Sequence, residues 1–106
     1  MEAPLEIDVA TAAPLVRAGG LLLDVREPLE IATCQVAGSR HIPMRQIPEN
    51  LDALPRDQPI YVLCHHGGRS MRVTQFLRAN GFDQAINVAG GIDAWAEQID
   101  PSLARY

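Results

Sequence analysis

Apolar residues recur along this chain in two rhythms. "LLLDV" (21–25) and "IYVL" (60–63) are short unbroken apolar runs, the pattern of strands buried on both faces of a parallel sheet. "RHI" (40–42) and "AINV" (85–88) bring the set to four strands. Between them the spacing turns helical. Residues 70–79, "SMRVTQFLRA", put Val73, Phe76 and Leu77 on one face and Arg72, Gln75 and Arg78 elsewhere. Asn80 and Gly81 then supply a left-handed cap. "TAAPLVRA" (11–18) predicts an earlier helix, with Thr11 as N-cap and Pro14 in the first turn. "PENLDAL" (48–54) and "GIDAWAEQ" (91–98) predict two more. Strands alternating with helices imply crossover connections, hence an α/β fold around a mostly parallel sheet. The tail "IDPSLARY" reads as surface chain, and no repeat, linker or low-complexity segment breaks the pattern.

A chain of 106 residues suits one domain spanning 1–106, and a 47% hydrophobic content suits a packed core. No apolar run approaches the roughly 20 residues that cross a bilayer. The acidic start "MEAPLEID" lacks the basic and apolar stretches of a secretory signal. The expectation is a cytoplasmic protein with no membrane partner. A net charge of −4 argues against nucleic acid, which needs a basic surface. All nine basic residues are arginine, so a lysine Schiff base or a lysine phosphate ligand is excluded. Two cysteines, Cys34 and Cys64, cannot build a disulfide framework, and neither lies in a C-x-x-C pair.

Candidate chemistry concentrates in "CHHGGRS" (64–70), between a buried strand and an amphipathic helix. In an open parallel sheet, ligands bind beyond the carboxyl ends of the strands, where this turn falls. Gly67 and Gly68 permit positive φ and close backbone approach. The helix that starts near Arg69 or Ser70 turns its free N–H groups and positive dipole end toward the loop. Arg69 adds a planar fork suited to oxyanions. Each of these favours a thiolate at Cys64, the nucleophilic form. A strand-end cysteine is often only a small buried hydrophobe, yet glycines and an arginine in the same turn serve no core purpose. Cys64, His65 and His66 are adjacent, which does not suit zinc ligands, and no metal is expected. The phosphate-loop pattern ending in Lys-Ser/Thr is absent.

With these residues in view, the chain resembles a single-domain rhodanese of the rhodanese superfamily. "LLLDVREPLEI" (21–31) is similar to the early signature of a strand followed by Asp-Val-Arg-Glu-Pro. "AGSRHIP" (37–43) is similar to the Gly-Ala-x-x-Ile-Pro segment that follows. "CHHGGRS" corresponds to the loop that opens with the catalytic cysteine, and "GGIDAW" (90–95) to the closing Gly-Gly-x-x-x-Trp. The chain departs at 34–36, where Cys34-Gln35-Val36 replaces a common Gly-His-Ile. Cys34 therefore has two readings, a buried filler or a resolving thiol for an oxidised Cys64.

The resemblance implies a rhodanese-like fold, a mostly parallel central sheet with helices on both faces. It also implies a sulfurtransferase without cofactor, in which Cys64 carries a persulfide. The sulfur would come from a small anionic donor such as thiosulfate. It would leave to cyanide in an assay, or to a thiol or sulfur-carrier protein in cells. Arg69 would meet the donor or leaving group. Gly67 and Gly68 would shape the loop, with His65 and His66 lining it, one of them open to a role in proton transfer. Ser70 would cap the helix or offer its hydroxyl to the loop. Asp24 would brace the loop with Arg26 nearby, or the two form a plain strand-end ion pair. Trp95 reads as a core anchor, His41 as a satisfied core histidine, and "MRQI" between Pro43 and Pro48 as a connecting turn. The tail resembles that of rhodanese domains fused to adenylating enzymes, which points to a sulfur carrier as acceptor. Four residues separate Cys64 from Arg69. Dual-specificity phosphatases of related fold place five there, so a phosphatase is the lesser enzymatic reading. A non-catalytic partner module or a Cys34/Cys64 redox sensor is the reading from another class.

Overall fold

The computed structural model describes residues 3–106. Five strands form one sheet in the order β1-β5-β4-β2-β3: β1 (Glu6–Ile7), β2 (Leu21–Asp24), β3 (Arg40–His41), β4 (Ile60–Leu63) and β5 (Ala85–Val88). Every pairing is parallel. Central β4 sets Tyr61 beside Leu22 and Ile86, and Val62 beside Leu23 and Asn87. The helices are α1 (Val9–Arg17), α2 (Pro28–Thr33), α3 (Gly68–Ala79) and α4 (Gly91–Gln98), with 3-10 turns at Met44–Gln46 and Pro48–Ala53.

Side-chain alternation explains the unbroken apolar runs. Ile60, Val62 and Cys64 join Leu23, Val25, Val73 and Leu77 in one core, roofed by α3 and the 3-10 segment. Tyr61 and Leu63 point the other way, joining Leu22, Ile86, Ala12 and Trp95 beneath α1 and α4. Helices thus cover both faces, so both sets of alternate positions are mainly apolar, with Asp24 and Asn87 as buried polar exceptions. Trp95 is buried in the second core, as expected of an anchor.

Five local expectations are corrected. Helix α1 is capped by Asp8, whose Oδ1 accepts the Thr11 N–H at 2.8 Å, so Thr11 lies inside the helix and Pro14 deeper still. The segment 48–54 is not α-helical; it is a 3-10 turn with Asn50 at φ −117°. Phe76 is 37% exposed because the roof of its core is completed by Val73 and Leu77. Strand β1 and helix α2 were not expected. β1 has only two residues and α2 buries none, so neither leaves a periodic apolar signal.

No helix among the described residues is long and apolar enough to cross a membrane. The parallel pairing brings the carboxyl ends of β2 and β4 together, with Asp24 in register with Leu63. The chains leaving those two ends build the site.

Candidate active site

Cys64 is the first residue after β4 and is 1% exposed. Its Sγ accepts the Gly67 N–H at 3.1 Å and lies 3.2 Å from the Ser70 hydroxyl. The loop is tight because Gly67 stands at φ 109°, a conformation costly for any residue with a side chain. A Cβ there would also press on the Gly90 backbone N at 3.3 Å. Gly68 has ordinary φ and open space around it, so only the first glycine of the pair is conformationally required. Helix α3 begins at Gly68, one to two residues earlier than expected, which puts its free N–H end and positive dipole directly behind the loop.

A second helix fixes the loop from outside. At the start of α4, Ile92 N–H donates to the Cys64 carbonyl at 2.8 Å and Asp93 N–H to the His65 carbonyl at 3.1 Å. Gly91 makes this approach possible: a Cβ on it would lie 2.4–2.5 Å from those same carbonyl groups. The Gly-Gly-x-x-x-Trp segment is thus a clamp, glycine for the contact and Trp95 for the anchor.

Ser70 does not cap α3; it lies within the first turn, fully buried. Its Oγ is 2.5 Å from Asn87 Oδ1 as well as near Cys64 Sγ, and one hydroxyl proton serves one acceptor at a time. Asn87 Nδ2 donates to Glu6 Oε2 at 2.7 Å and to the Gly67 carbonyl at 3.2 Å, which turns Oδ1 toward Ser70. Asn87 was missed in the sequence. Its signal was there, a lone amide inside the apolar strand "AINV".

Arg69 does not present an open fork to the loop. Nη1 and Nη2 grip Glu30 at 2.6 and 2.8 Å in a bidentate pair. Glu30 also accepts the Glu27 N–H at 3.0 Å and the Tyr106 hydroxyl at 2.6 Å. The Arg69 guanidinium, with help from Tyr106, overcomes partial burial and holds the Glu30 carboxyl down to about 2. Arg69 is in turn held above its ordinary value, chiefly by Glu30. Burial and the bond to Glu30 push the Tyr106 phenol up to about 12.

The tail runs on the surface as expected, but its last residue, Tyr106, reaches the loop. Its ring stacks on His65 at 3.7 Å and 10°, and the His66 ring lies 3.9 Å from that of His65, tilted by 34°. His65 Nε2 is buried without a hydrogen-bond partner, and desolvation plus neighbouring His66 lower its pKa. His66 faces solvent, its side chain 67% exposed, with Nδ1 3.9 Å from Asp93 Oδ2. Arg105 closes on Asp93 at 3.1 Å.

Asp24 and Arg26 form a fully buried pair at 2.7 Å. Among the described residues the Asp24 carboxylate bonds only Arg26, so it meets the loop indirectly. Arg26 spreads its remaining donors to the carbonyls of Glu30 and Cys34 and to the Tyr106 hydroxyl at 3.0 Å. Arg26 therefore stands behind Glu30 as a structural support. His41 Nε2 donates to the Arg26 carbonyl, 2.6 Å away, as a satisfied histidine should. Both cysteines are free, and they pack on opposite cores: Cys64 in the first, half-buried Cys34 against the second. No cluster of three or more His, Cys, Asp or Glu side chains suited to a metal occurs among the described residues.

A sulfur held by one N–H, one hydroxyl and a helix N-terminus can attack and then carry a group whose negative charge those donors steady. Comparison with known proteins identifies the family. The chain is 39% identical over 89 residues to the Rhodanese-like/PpiC domain-containing protein 12 of Arabidopsis thaliana, covering 80% of this chain but 30% of that protein. It is 34% identical over 84 residues to a protein named sulfurtransferase from Allochromatium vinosum, covering 79% of this chain and 78% of that one. The crystal structure of a rhodanese-related protein from Thermoplasma volcanium superposes with a TM-score of 0.81 at 35% identity, over 89% of this chain and 92% of that one. The model of the rhodanese-like domain matches residues 9–98, and the chain belongs to that family.

Proposed function

We propose that this chain is a rhodanese-type sulfurtransferase that works through a persulfide on Cys64. The observation that carries this reading is the surroundings of Cys64 Sγ, with the Gly67 N–H at 3.1 Å and the Ser70 hydroxyl at 3.2 Å behind the N-terminus of α3. In the first step the Cys64 thiolate attacks the outer sulfur of thiosulfate. The S–S bond of the donor breaks, its electron pair leaves with sulfite, and Cys64 keeps one extra sulfur with its negative charge. The Gly67 N–H and the α3 dipole steady that charge, joined by the Ser70 hydroxyl when its proton turns from Asn87 Oδ1 to the sulfur. In the second step a nucleophile attacks the outer sulfur and the Cys64 thiolate returns. Cyanide serves in an assay; a cellular thiol or a sulfur-carrier protein is the proposed acceptor. Arg69 draws in the donor or stabilises the leaving group to the extent that Glu30 leaves its charge uncompensated.

The four-residue spacing from Cys64 to Arg69 favours sulfur over the wider cradle of a phosphoryl group. The placement of Cys34 and Cys64 against opposite cores counts against a redox pair. The test is intact mass after thiosulfate and then after cyanide, for wild type and Cys64→Ser. The expected result is one added sulfur that cyanide removes, absent from the variant. Folded, reduced wild type that gains no sulfur from any sulfane donor would sink the reading.

A further inference from the structure

The charge around the Cys64 loop is almost completely cancelled. Arg69 is matched by Glu30, Arg26 by Asp24, and Arg105 by Asp93. Arg72, one turn further along α3, borders an apolar groove with Met44, Ile47, Val73 and Phe76, none of which belongs to the loop. Glu30 is the decisive member. Its two oxygens accept four hydrogen bonds, two from Arg69, one from the Glu27 N–H and one from Tyr106. Tyr106 is held in turn by Arg26 and by its stack on His65. An incoming anion that wanted the Arg69 fork would have to displace a fully bonded carboxylate. The depressed titration of Glu30 keeps it charged throughout the neutral range. The chain as a whole carries −4, so no long-range field compensates.

Building on the sulfur-transfer reading above, we infer that Glu30, locked onto Arg69 by Tyr106, is a specificity-determining residue. It sets the site for sulfane donors with one negative charge or none, such as alkyl hydropersulfides and thiosulfonates, over the thiosulfate dianion. Both classes deliver the same sulfur. With a hydropersulfide, the Cys64 thiolate attacks the outer sulfur and the donor's S–S bond breaks. The donor thiolate leaves with the electron pair, and the outer sulfur's proton is released to solvent or to that thiolate. With a thiosulfonate, sulfinate leaves instead. Only the charge that must enter the pocket differs. Tyr106 acts as a positioning residue for Glu30.

The experiment compares kcat/KM for methanethiosulfonate, a monoanion, with thiosulfate, a dianion of similar size, in wild type, Glu30→Gln and Tyr106→Phe. Glu30→Gln adds one unit of positive charge, and Coulomb energy scales with the charge of the donor. A rise of about threefold for the monoanion should therefore accompany a rise of about tenfold for the dianion, a half-exposed site allowing no more. Tyr106→Phe should move the same ratio in the same direction by less. Wild-type kcat/KM for thiosulfate should stay flat or rise as salt increases from about 20 to about 200 mM, a reading that needs no variant. A ratio unchanged in a folded Glu30→Gln protein, or a steep fall of the wild-type thiosulfate rate with salt, overturns the inference while sulfur still loads onto Cys64. Wild type that takes up no sulfur from either donor overturns the sulfur-transfer reading itself, and the mass spectrum separates the two failures.

Discussion

The two chains that leave the sheet side by side, after β2 and after β4, use opposite strategies. Asp24 and Leu63 are register partners, and both strands end in residues shut off from solvent. After β2, burial comes with saturation. Asp24 accepts four contacts from Arg26, and Arg26 fills its other donors with two carbonyls and a phenol. After β4, burial comes without it. Cys64 has one N–H and a shared hydroxyl, and His65 Nε2 has no hydrogen-bond partner among the described residues. Saturated polar groups stiffen a fold, whereas unsaturated ones keep free energy available for a ligand or a transition state. The β2 end is the frame and the β4 end is the tool.

The sharpest break of this contrast is Cys64→Ser, which should abolish sulfur loading while leaving unfolding by denaturant nearly unchanged. Asp24→Ala attacks the frame instead. It strands a buried guanidinium and should cost roughly 3 to 5 kcal/mol in urea unfolding, the usual penalty for breaking a buried pair. Residual activity should track the folded fraction. Gly91→Ala joins the two regimes, since its Cβ collides with the Cys64 and His65 carbonyls at positive φ. A loss of about 1 to 3 kcal/mol is expected, with sulfur loading per folded molecule falling as the clamp opens. Ser70→Ala should slow loading by about tenfold, the scale of one hydrogen bond to a charged sulfur.

The smallest effect is in acid. Glu30 titrates near 4.5 when unfolded and at about 2 when folded. Its folded pKa is depressed, so its contribution to stability is complete above about 4.5 and is lost as pH falls toward 2. Urea midpoints between pH 2 and 5 should fall less steeply in Glu30→Gln than in wild type.

Much of this architecture was legible because its causes are local. A strand buried on both faces is apolar at nearly every position, Asn87 being the exception in β5, so "IYVL" and "AINV" matched β4 and β5 to the residue. The 91–98 helix was equally plain, since Gly90 at φ 80° starts it and Trp95 anchors it. The loop could be located because a tight turn onto a helix asks for glycine at one place, Gly67, and Cys64 stands three residues before it. Where the element was short, as in the two residues of β1 and the six of α2, too few positions remained to show a period.

The partners of the site residues were decided elsewhere. Glu30 and Arg69 are 39 positions apart, Ser70 and Asn87 are 17, and Arg26 and Tyr106 are 80. A guanidinium in a sequence advertises a charge and says nothing of which carboxylate will cancel it. Arg69 looked like an open anion fork until the fold brought Glu30 of α2 onto it and Tyr106 of the tail onto Glu30. The sequence by itself determined the strands, the loop and its cysteine, because backbone sterics and burial act over a few residues. The tertiary structure alone decided the charge that the loop presents, because electrostatic pairing depends on distance in space and not along the chain.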